Sequence, residues 1–119
     1  MLPKAHCQRY QELKQALDQL QQTAVGAQLD APRLRQSFLK AQQFFQQQVV
    51  TLDAGDLEPD DEPRVRSYQT EMSKQLRLLE MDIMFFQAAR QSGTVQQRQV
   101  QLSDRLQILI SYCDALLQH

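Results

Sequence analysis

The sequence predicts an all-α protein that folds as an antiparallel, up-down-up-down four-helix bundle with a long third helix. Glycine and proline are scarce, at 3 and 4 of 119 residues, which favours long uninterrupted elements. Apolar residues also recur every three or four positions in four segments, at about 3–24, 31–52, 63–91 and 95–117. Four helices joined by short connections favour this topology within a single domain, 1–119.

The first two segments each have one apolar face and recognisable ends. Gly26 is suited to the C-terminal cap of helix one. Asp30 is expected to be the N-cap of helix two, and Pro32 lies in the first turn, where its missing N–H does no harm. The predicted core faces are Tyr10, Leu13, Leu17, Leu20 and Ala24 in helix one, and Leu34, Phe38, Ala41, Phe45 and Leu52 in helix two.

Helices three and four have similar signals. Pro63 is suited to the first position of helix three, which is predicted to end at Ser92-Gly93. Thr94 is then expected to cap helix four, because Thr94 and Gln97 have the spacing of a capping box. The predicted core faces are Val65, Tyr68, Met72, Leu76, Leu79, Ile83 and Phe86 in helix three, and Val95, Leu102, Leu106, Leu109, Cys113 and Leu116 in helix four.

The segment 53–62, between helices two and three, contains six acidic residues and no basic one. It has two interpretations. One is an acidic docking loop. The other is a solvated linker in which Asp60, Asp61 and Glu62 stabilise the positive N-terminus of helix three.

Composition argues against several functional classes. Thirteen Lys and Arg nearly balance fourteen Asp and Glu, so the chain lacks the basic excess of a nucleic-acid-binding protein. No apolar run approaches the roughly 20 residues of a membrane span, and the first residues lack the apolar stretch of a secretory signal. We therefore expect a cytoplasmic protein without nucleic-acid or membrane partners, in which many of the 23 glutamines form an uncharged solvent-facing surface.

No group of residues has the pattern of a catalytic or cofactor site, so we expect no enzyme activity and no cofactor. The three glycines are isolated, which argues against a phosphate-binding loop. In the predicted topology Cys7, Cys113 and His6 meet at one end of the bundle, near His119. However, His6 and Cys7 point about 100° apart on a helix, which disfavours a zinc site. We expect no metal and no disulfide, but two free thiols.

The same end of the bundle is predicted to collect all three tyrosines, Tyr10, Tyr68 and Tyr112. A tyrosine can bury its ring while its hydroxyl stays hydrated or hydrogen-bonded. We interpret the three residues as a polar-aromatic end layer of the bundle rather than as a ligand cage.

Helix three has a second apolar surface, roughly opposite its core face. At about 100° per residue, Leu78, Met81 and Phe85 fall on the side away from the core, three and four residues apart, and form a continuous ridge. A contiguous apolar patch usually marks an interface. Three interpretations are open: helix three lies centrally and the ridge is core, the ridge forms a homodimer, or it binds a different protein.

Helix three also carries several basic residues, namely Arg64, Arg66, Lys74 and Arg77. Glu71 lies three residues before Lys74, so these two can form an ion pair along the helix. Arg77 and Glu80 have the same spacing. We interpret this run as a solvated, ion-paired surface rather than a DNA-binding stripe.

The stretch SYQTEMSKQLRLLEMDIMFFQAARQ, residues 67–91, resembles the PatD heterocyst frequency control proteins of filamentous cyanobacteria. The opening MLPK, the stretch SDRL at 103–106 and the pair Tyr112-Cys113 are similar to that family as well. The acidic segment 53–62 is longer than the linker expected at this place in the family. The resemblance implies a small cytosolic regulator of heterocyst number that contacts the cell-division protein FtsZ. It implies no catalytic residues and no particular FtsZ-binding residues.

We therefore expect a non-enzymatic regulator that acts by protein–protein interaction, with FtsZ as its partner by resemblance and homodimerisation left open. The alternatives are a nucleic-acid-linked transcriptional regulator and a generic helical adaptor or dimerisation module. A gel-shift experiment at low salt distinguishes the nucleic-acid alternative, because non-specific DNA binding is strongly salt-dependent.

Overall fold

The computed structural model describes residues 2–25 and 30–118, and within them the chain forms four helices and no strand. The helices are α1 (Lys4–Val25), α2 (Ala31–Phe44), α3 (Asp61–Ala88) and α4 (Ser92–Leu117). The predicted all-α four-helix bundle is confirmed. Gly26, the expected cap of α1, lies outside the described residues.

Hydrogen bonds between helices show that neighbouring helices run in opposite directions. On α4, Ser103 accepts from Gln21, whereas the earlier Gln99 donates to the carbonyl of Ala24, which is later in α1. The helices α3 and α4 are also antiparallel. Arg64, early in α3, donates to the carbonyl of Ala115, late in α4, whereas Asp82, late in α3, accepts from Arg105, which is earlier in α4.

One hydrophobic core runs through the bundle. α4 packs extensively against both α1 and α3, and α2 packs against α1, while the contact between α2 and α3 is the smallest of the four. The buried apolar residues are Leu2, Tyr10, Leu13, Leu17, Leu20, Ala24, Leu34, Phe38, Ala41, Phe45, Val49, Val65, Met72, Leu76, Leu79, Ile83, Phe86, Leu102, Leu106, Leu109, Ile110, Cys113 and Leu116. Most of the predicted core positions are therefore buried, and the side between α2 and α3 is the most open.

The second helix begins as predicted but ends differently. Asp30 is the N-cap of α2, and its side chain accepts from the Arg33 N–H. After Phe44 the chain forms a π-helical turn, Phe45–Val49, in which the Val50 N–H donates to the Phe45 carbonyl at 2.9 Å. The predicted end at 52 was wrong because a π turn leaves no signature in the spacing of apolar residues.

The third helix begins at Asp61, two residues before the predicted start at Pro63. The first four N–H groups of a helix have no partner within it, so the missing N–H of proline is harmless at any of these positions. Proline therefore indicates the first turn rather than one position in it. Asp61 and Glu62 lie in that turn, as the linker interpretation expects.

The turn between α3 and α4 lies three residues earlier than predicted. The helix ends at Ala88 instead of 91, and α4 begins at Ser92 with Gln91 as its N-cap residue. The expected capping box of Thr94 and Gln97 was wrong, because the Val95 N–H donates to the Gln91 carbonyl and places Thr94 inside the first turn. Gly93 has no positive φ, so it continues the helix.

The described part of the molecule measures 50 × 20 × 19 Å. The 28 residues of α3 correspond to a length of about 42 Å, most of the long dimension. Among the described residues, no helix combines the length and the apolar character needed to cross a bilayer.

Candidate protein-interaction surface

The ridge predicted on helix three lies on the surface of the bundle. Met81 and Phe85 are each 47% exposed, and Leu78 is half-buried. Leu79 and Ile83, on the opposite face of α3, are buried in the core. The interpretation in which helix three lies centrally and the ridge is part of the core is therefore wrong, because the described residues leave about half of the Met81 and Phe85 side chains exposed to solvent.

A fourth apolar side chain belongs to this surface and was missed in the sequence. Met84 is 58% exposed and lies three residues after Met81 and next to Phe85. The i, i+3 spacing to Met81 was the signal that could have found it. We name the surface formed by Leu78, Met81, Met84 and Phe85 the outer patch. Leu39 of α2 is 40% exposed and lines a narrow cleft together with Met84, so apolar surface continues onto α2.

The outer patch has a cation at its edge toward α4. The guanidinium carbon of Arg98 lies 4.8 Å from the centre of the Phe85 ring, which is cation–π geometry. The same guanidinium also donates to the side chain of Gln101 at 3.0 Å. This contact holds the Phe85 ring in a defined position while half of the side chain remains accessible.

The flank of α3 that faces α4 contains a polar cluster. Arg105 of α4 donates to the Asp82 carboxylate at 2.9 Å and to the side-chain oxygen of Gln75 at 3.0 Å. Asp82 and Gln75 are among the few buried polar residues. This Arg105 cluster joins α3 to α4 on that flank of the helix. Its sequence signal was the seven-residue spacing of Gln75 and Asp82, which puts both on one helical face.

A groove lies between the π-helical turn and the first half of α3. It encloses about 390 Å³, and its charged lining residues are Arg66, Lys74 and Arg77. Arg66 forms an ion pair with Glu62, one turn earlier in α3. Lys74 and Arg77 form no ion pair with any described residue, so the pairs expected along helix three were wrong. We name this surface the basic groove.

The tyrosine layer predicted at one end of the bundle is present. The Tyr68 and Tyr112 rings are 5.7 Å apart in an edge-to-face arrangement, and the Arg64 guanidinium lies over Tyr68. Tyr10 is fully buried, and its hydroxyl accepts from the Gln69 amide at 2.9 Å. Burial raises the pKa of Tyr10, and the hydrogen bond from Gln69 partly opposes that shift. These side chains contact one another and form one polar-aromatic layer.

Both cysteines in this region are free thiols. Cys113 is buried in the core, and this burial, with a smaller contribution from the Asp114 charge, raises the pKa of its thiol to about 12. His6 is 2% exposed and lies 4.0 Å from the Asp56 carboxylate, and neither ring nitrogen has a hydrogen-bond partner among the residues that the structure describes. No three potential ligands converge on a metal-sized site in residues 2–25 and 30–118. His119 lies outside these residues.

The fold and these surfaces define a class: a four-helix bundle with an apolar patch on its third helix and a basic groove beside it. The chain belongs to the family of the CRR41 C-terminal domain, whose family model matches residues 15–112. The matched region runs from α1 to near the end of α4 and includes the outer patch, the Arg105 cluster and the basic groove. No curated protein and no solved structure matches the chain.

Proposed function

We propose that this protein is a non-enzymatic regulator that acts by binding another protein through the outer patch of α3. The observation that supports the proposal is the exposure of Met81, Met84 and Phe85, at 47%, 58% and 47%, on one continuous surface. Single exposed apolar residues need no explanation, whereas contiguous ones usually mark an interaction site. Met and Phe are also residue types that are enriched in the centres of interfaces.

The outer patch by itself is smaller than a stable protein–protein interface. Phe85, its one aromatic residue, would bury roughly 150–250 Å² when fully covered, and the four partly exposed side chains together supply a few hundred Å². A stable interface, with a second copy or with a different protein, buries about 800 Å² on each partner, so neighbouring surface must contribute as well. Arg98 at the edge of the patch adds a charge that a homodimer would also have to accommodate.

The resemblance to PatD supports a narrower form of the proposal, in which the partner is FtsZ and the controlled process is heterocyst frequency. The stretch that resembles PatD, residues 67–91, contains every residue of the outer patch. In this form, the protein binds FtsZ and alters its assembly without catalysing a reaction.

Co-sedimentation with polymerising FtsZ tests this function. We expect the wild-type protein to pellet with FtsZ filaments when GTP is present and to remain in the supernatant without it. The Met81→Ser and Phe85→Ser variants should remain folded by circular dichroism and lose co-sedimentation, because each puts a hydroxyl in the centre of the apolar contact. Val100→Ser is the matched control, since Val100 is 58% exposed on α4 and lies outside the outer patch.

Three results would contradict the proposal in different ways. Equal binding by wild type and both serine variants would remove the outer patch from the interaction. A folded variant that changes from dimer to monomer in analytical ultracentrifugation would assign the patch to self-association. Tight binding of duplex DNA in a gel shift at low salt, with no FtsZ binding, would favour the nucleic-acid alternative.

A further inference from the structure

The basic groove has a chemistry that the outer patch lacks. One side is the π-helical turn, which contributes Phe45 and the adjoining Val50, and the other is α3, which contributes the cations. Phe45 is 2% exposed, whereas Val50 is 50% exposed. The groove therefore offers one accessible apolar side chain opposite a row of positive charges. Single π-helical turns occur frequently at functional sites.

Two of the three cations of the groove have no acidic partner among the described residues, whereas Arg66 pairs with Glu62. Lys74 and Arg77 are exposed, lie three residues apart on α3 and form no ion pair with a described residue. Like charges at this spacing destabilise a helix. No acidic side chain in the described part of the chain lines the groove, so an added carboxylate would find two unpaired partners there.

The groove is accessible because the bundle is loosest on this side. Contact between α2 and α3 is the least extensive of the four interhelical contacts, and the π-helical turn ends α2 before it covers the first half of α3. About 390 Å³ is room for a few side chains of a peptide segment but not for a folded domain.

The surrounding charge favours an acidic protein segment over a nucleic acid. Three cations are few for a polyanion, and the acidic segment 53–62 lies just before Arg66 in the chain, with its Glu62 already paired to Arg66. The groove also lacks an exposed aromatic ring on which a base could stack. A short segment with a few carboxylates can avoid the acidic segment 53–62, whereas a long phosphate backbone would be repelled by it.

We propose that the basic groove binds an acidic segment of a partner protein, with carboxylates paired to Lys74 and Arg77 and an apolar side chain packed on Val50. The inference rests on the proposed protein-binding function. It adds a second contact surface, the basic groove, which binds an acidic part of the partner. Because the groove and the outer patch lie on different parts of α3, each can be tested without the other.

Fluorescence anisotropy with a labelled synthetic peptide tests the groove. The probe is a short peptide of Asp and Glu around a central Leu, and its control has Asn and Gln in place of the acids. We expect the acidic peptide to bind at low salt and the amide peptide to bind at least ten-fold more weakly. The Lys74→Glu/Arg77→Glu double variant should lower the affinity for the acidic peptide by about ten-fold or more.

Matched variants separate the groove from general charge and from the outer patch. Arg33→Glu/Lys40→Glu changes the same number of charges at exposed positions of α2 and should alter peptide affinity by less than about two-fold. Val50→Glu adds a carboxylate inside the groove at an exposed position, so it should weaken binding even if the double variant does not fold. Met81→Ser should leave peptide binding unchanged, whatever its effect on FtsZ.

The proposal is overturned if the acidic peptide does not bind, or if both charge-reversal double variants weaken it equally. Unchanged binding in folded Lys74→Glu/Arg77→Glu protein and in Val50→Glu protein would also overturn it. A labelled oligothymidine that binds more tightly than the acidic peptide would assign the groove to nucleic acid instead. A failed peptide result leaves the FtsZ experiment unaffected, so the two proposals fail separately.

Discussion

The two flanks of α3 contain similarly apolar residues but differ in burial. Toward α4, Leu79 is buried and Asp82 is held by Arg105. Away from the core, Met81 and Phe85 are each about half exposed, although they are as apolar as the residues inside. Hydrophobicity alone therefore does not decide which side of this helix enters the core. The buried polar contact joins α3 to α4 on one flank, and the second apolar face remains exposed.

The largest expected contrast is between adjacent apolar positions on the two faces. Leu79→Ala should lower the free energy of unfolding by about 3 kcal/mol, because a fully buried leucine leaves a cavity when truncated. Met81→Ala should lower it by less than about 0.5 kcal/mol, because surface substitutions usually have small effects. Urea unfolding followed by circular dichroism measures both values. Equal losses would mean that the outer patch is part of the core.

The Arg105 cluster should show the next largest effect. Arg105→Ala leaves the Asp82 carboxylate without its partner, and we expect a loss of about 2–3 kcal/mol, reduced from the fully buried case because Arg105 is a quarter exposed. The double variant Arg105→Met/Asp82→Leu removes both charges and should recover most of the stability. If Arg105→Ala unfolds at the same urea concentration as wild type, the cluster does not stabilise the packing of α3 against α4.

The buried thiol extends the comparison to pH. The thiol of Cys113 ionises near pH 9 in the unfolded chain but only near pH 12 in the folded protein, so the folded state retains the proton in between. Stability from this group is therefore complete below pH 9 and falls by about 1.4 kcal/mol per pH unit between pH 9 and 12. Urea unfolding of wild type and Cys113→Ala at pH 8 and 10 isolates the effect, since other groups, including Tyr10, titrate in both proteins.

Thiol labelling gives an independent test of the same burial. At pH 8 we expect Ellman's reagent to label Cys7 readily and Cys113 only after unfolding, because the thiolate is the reactive form. Cys7→Ser protein should then show almost no labelling until urea is added. Rapid reaction of both thiols in native protein would contradict the buried position of Cys113.

A small effect on stability is expected at the edge of the outer patch. Arg98→Ala removes the cation over Phe85 and should lower the free energy of unfolding by about 0.5–1 kcal/mol. Arg98→Lys keeps the charge but not the planar group, so its free energy of unfolding should lie between the values of wild type and Arg98→Ala. Because Arg98 covers part of Phe85, the alanine variant should also expose the ring further. Thermal unfolding measures the change in stability, and a partner-binding assay measures the consequence of the added exposure.

Periodicity was enough to predict the bundle and most of its core, because burial of an apolar stripe depends on spacing that the sequence displays directly. Positions such as Leu13, Phe38 and Leu106 are buried as predicted. Helix ends were less predictable. The turn before α4 lies at residues 89–91 rather than at Gly93, since a glycine near a helix start can simply remain helical.

The candidate surfaces were only partly visible in the sequence. The ridge of Leu78, Met81 and Phe85 followed from angles around one helix, but whether another helix covers it depends on where the neighbours pack. The basic groove could not be predicted at all, because it requires the π-helical turn to lie beside the cations of α3. Apparent ion pairs along α3 also depend on side-chain directions that spacing alone does not specify.

By itself, the sequence determined the helical class, the number of helices and the faces they bury, because local backbone preference and apolar spacing act within one segment. Only the tertiary structure decided that Arg105 of α4 meets Asp82 and Gln75, and that the opposite apolar face of α3 remains uncovered. These outcomes depend on contacts between residues far apart in the chain. The rotation of each helix is chosen jointly by all its neighbours, and that choice has no signature in any single segment.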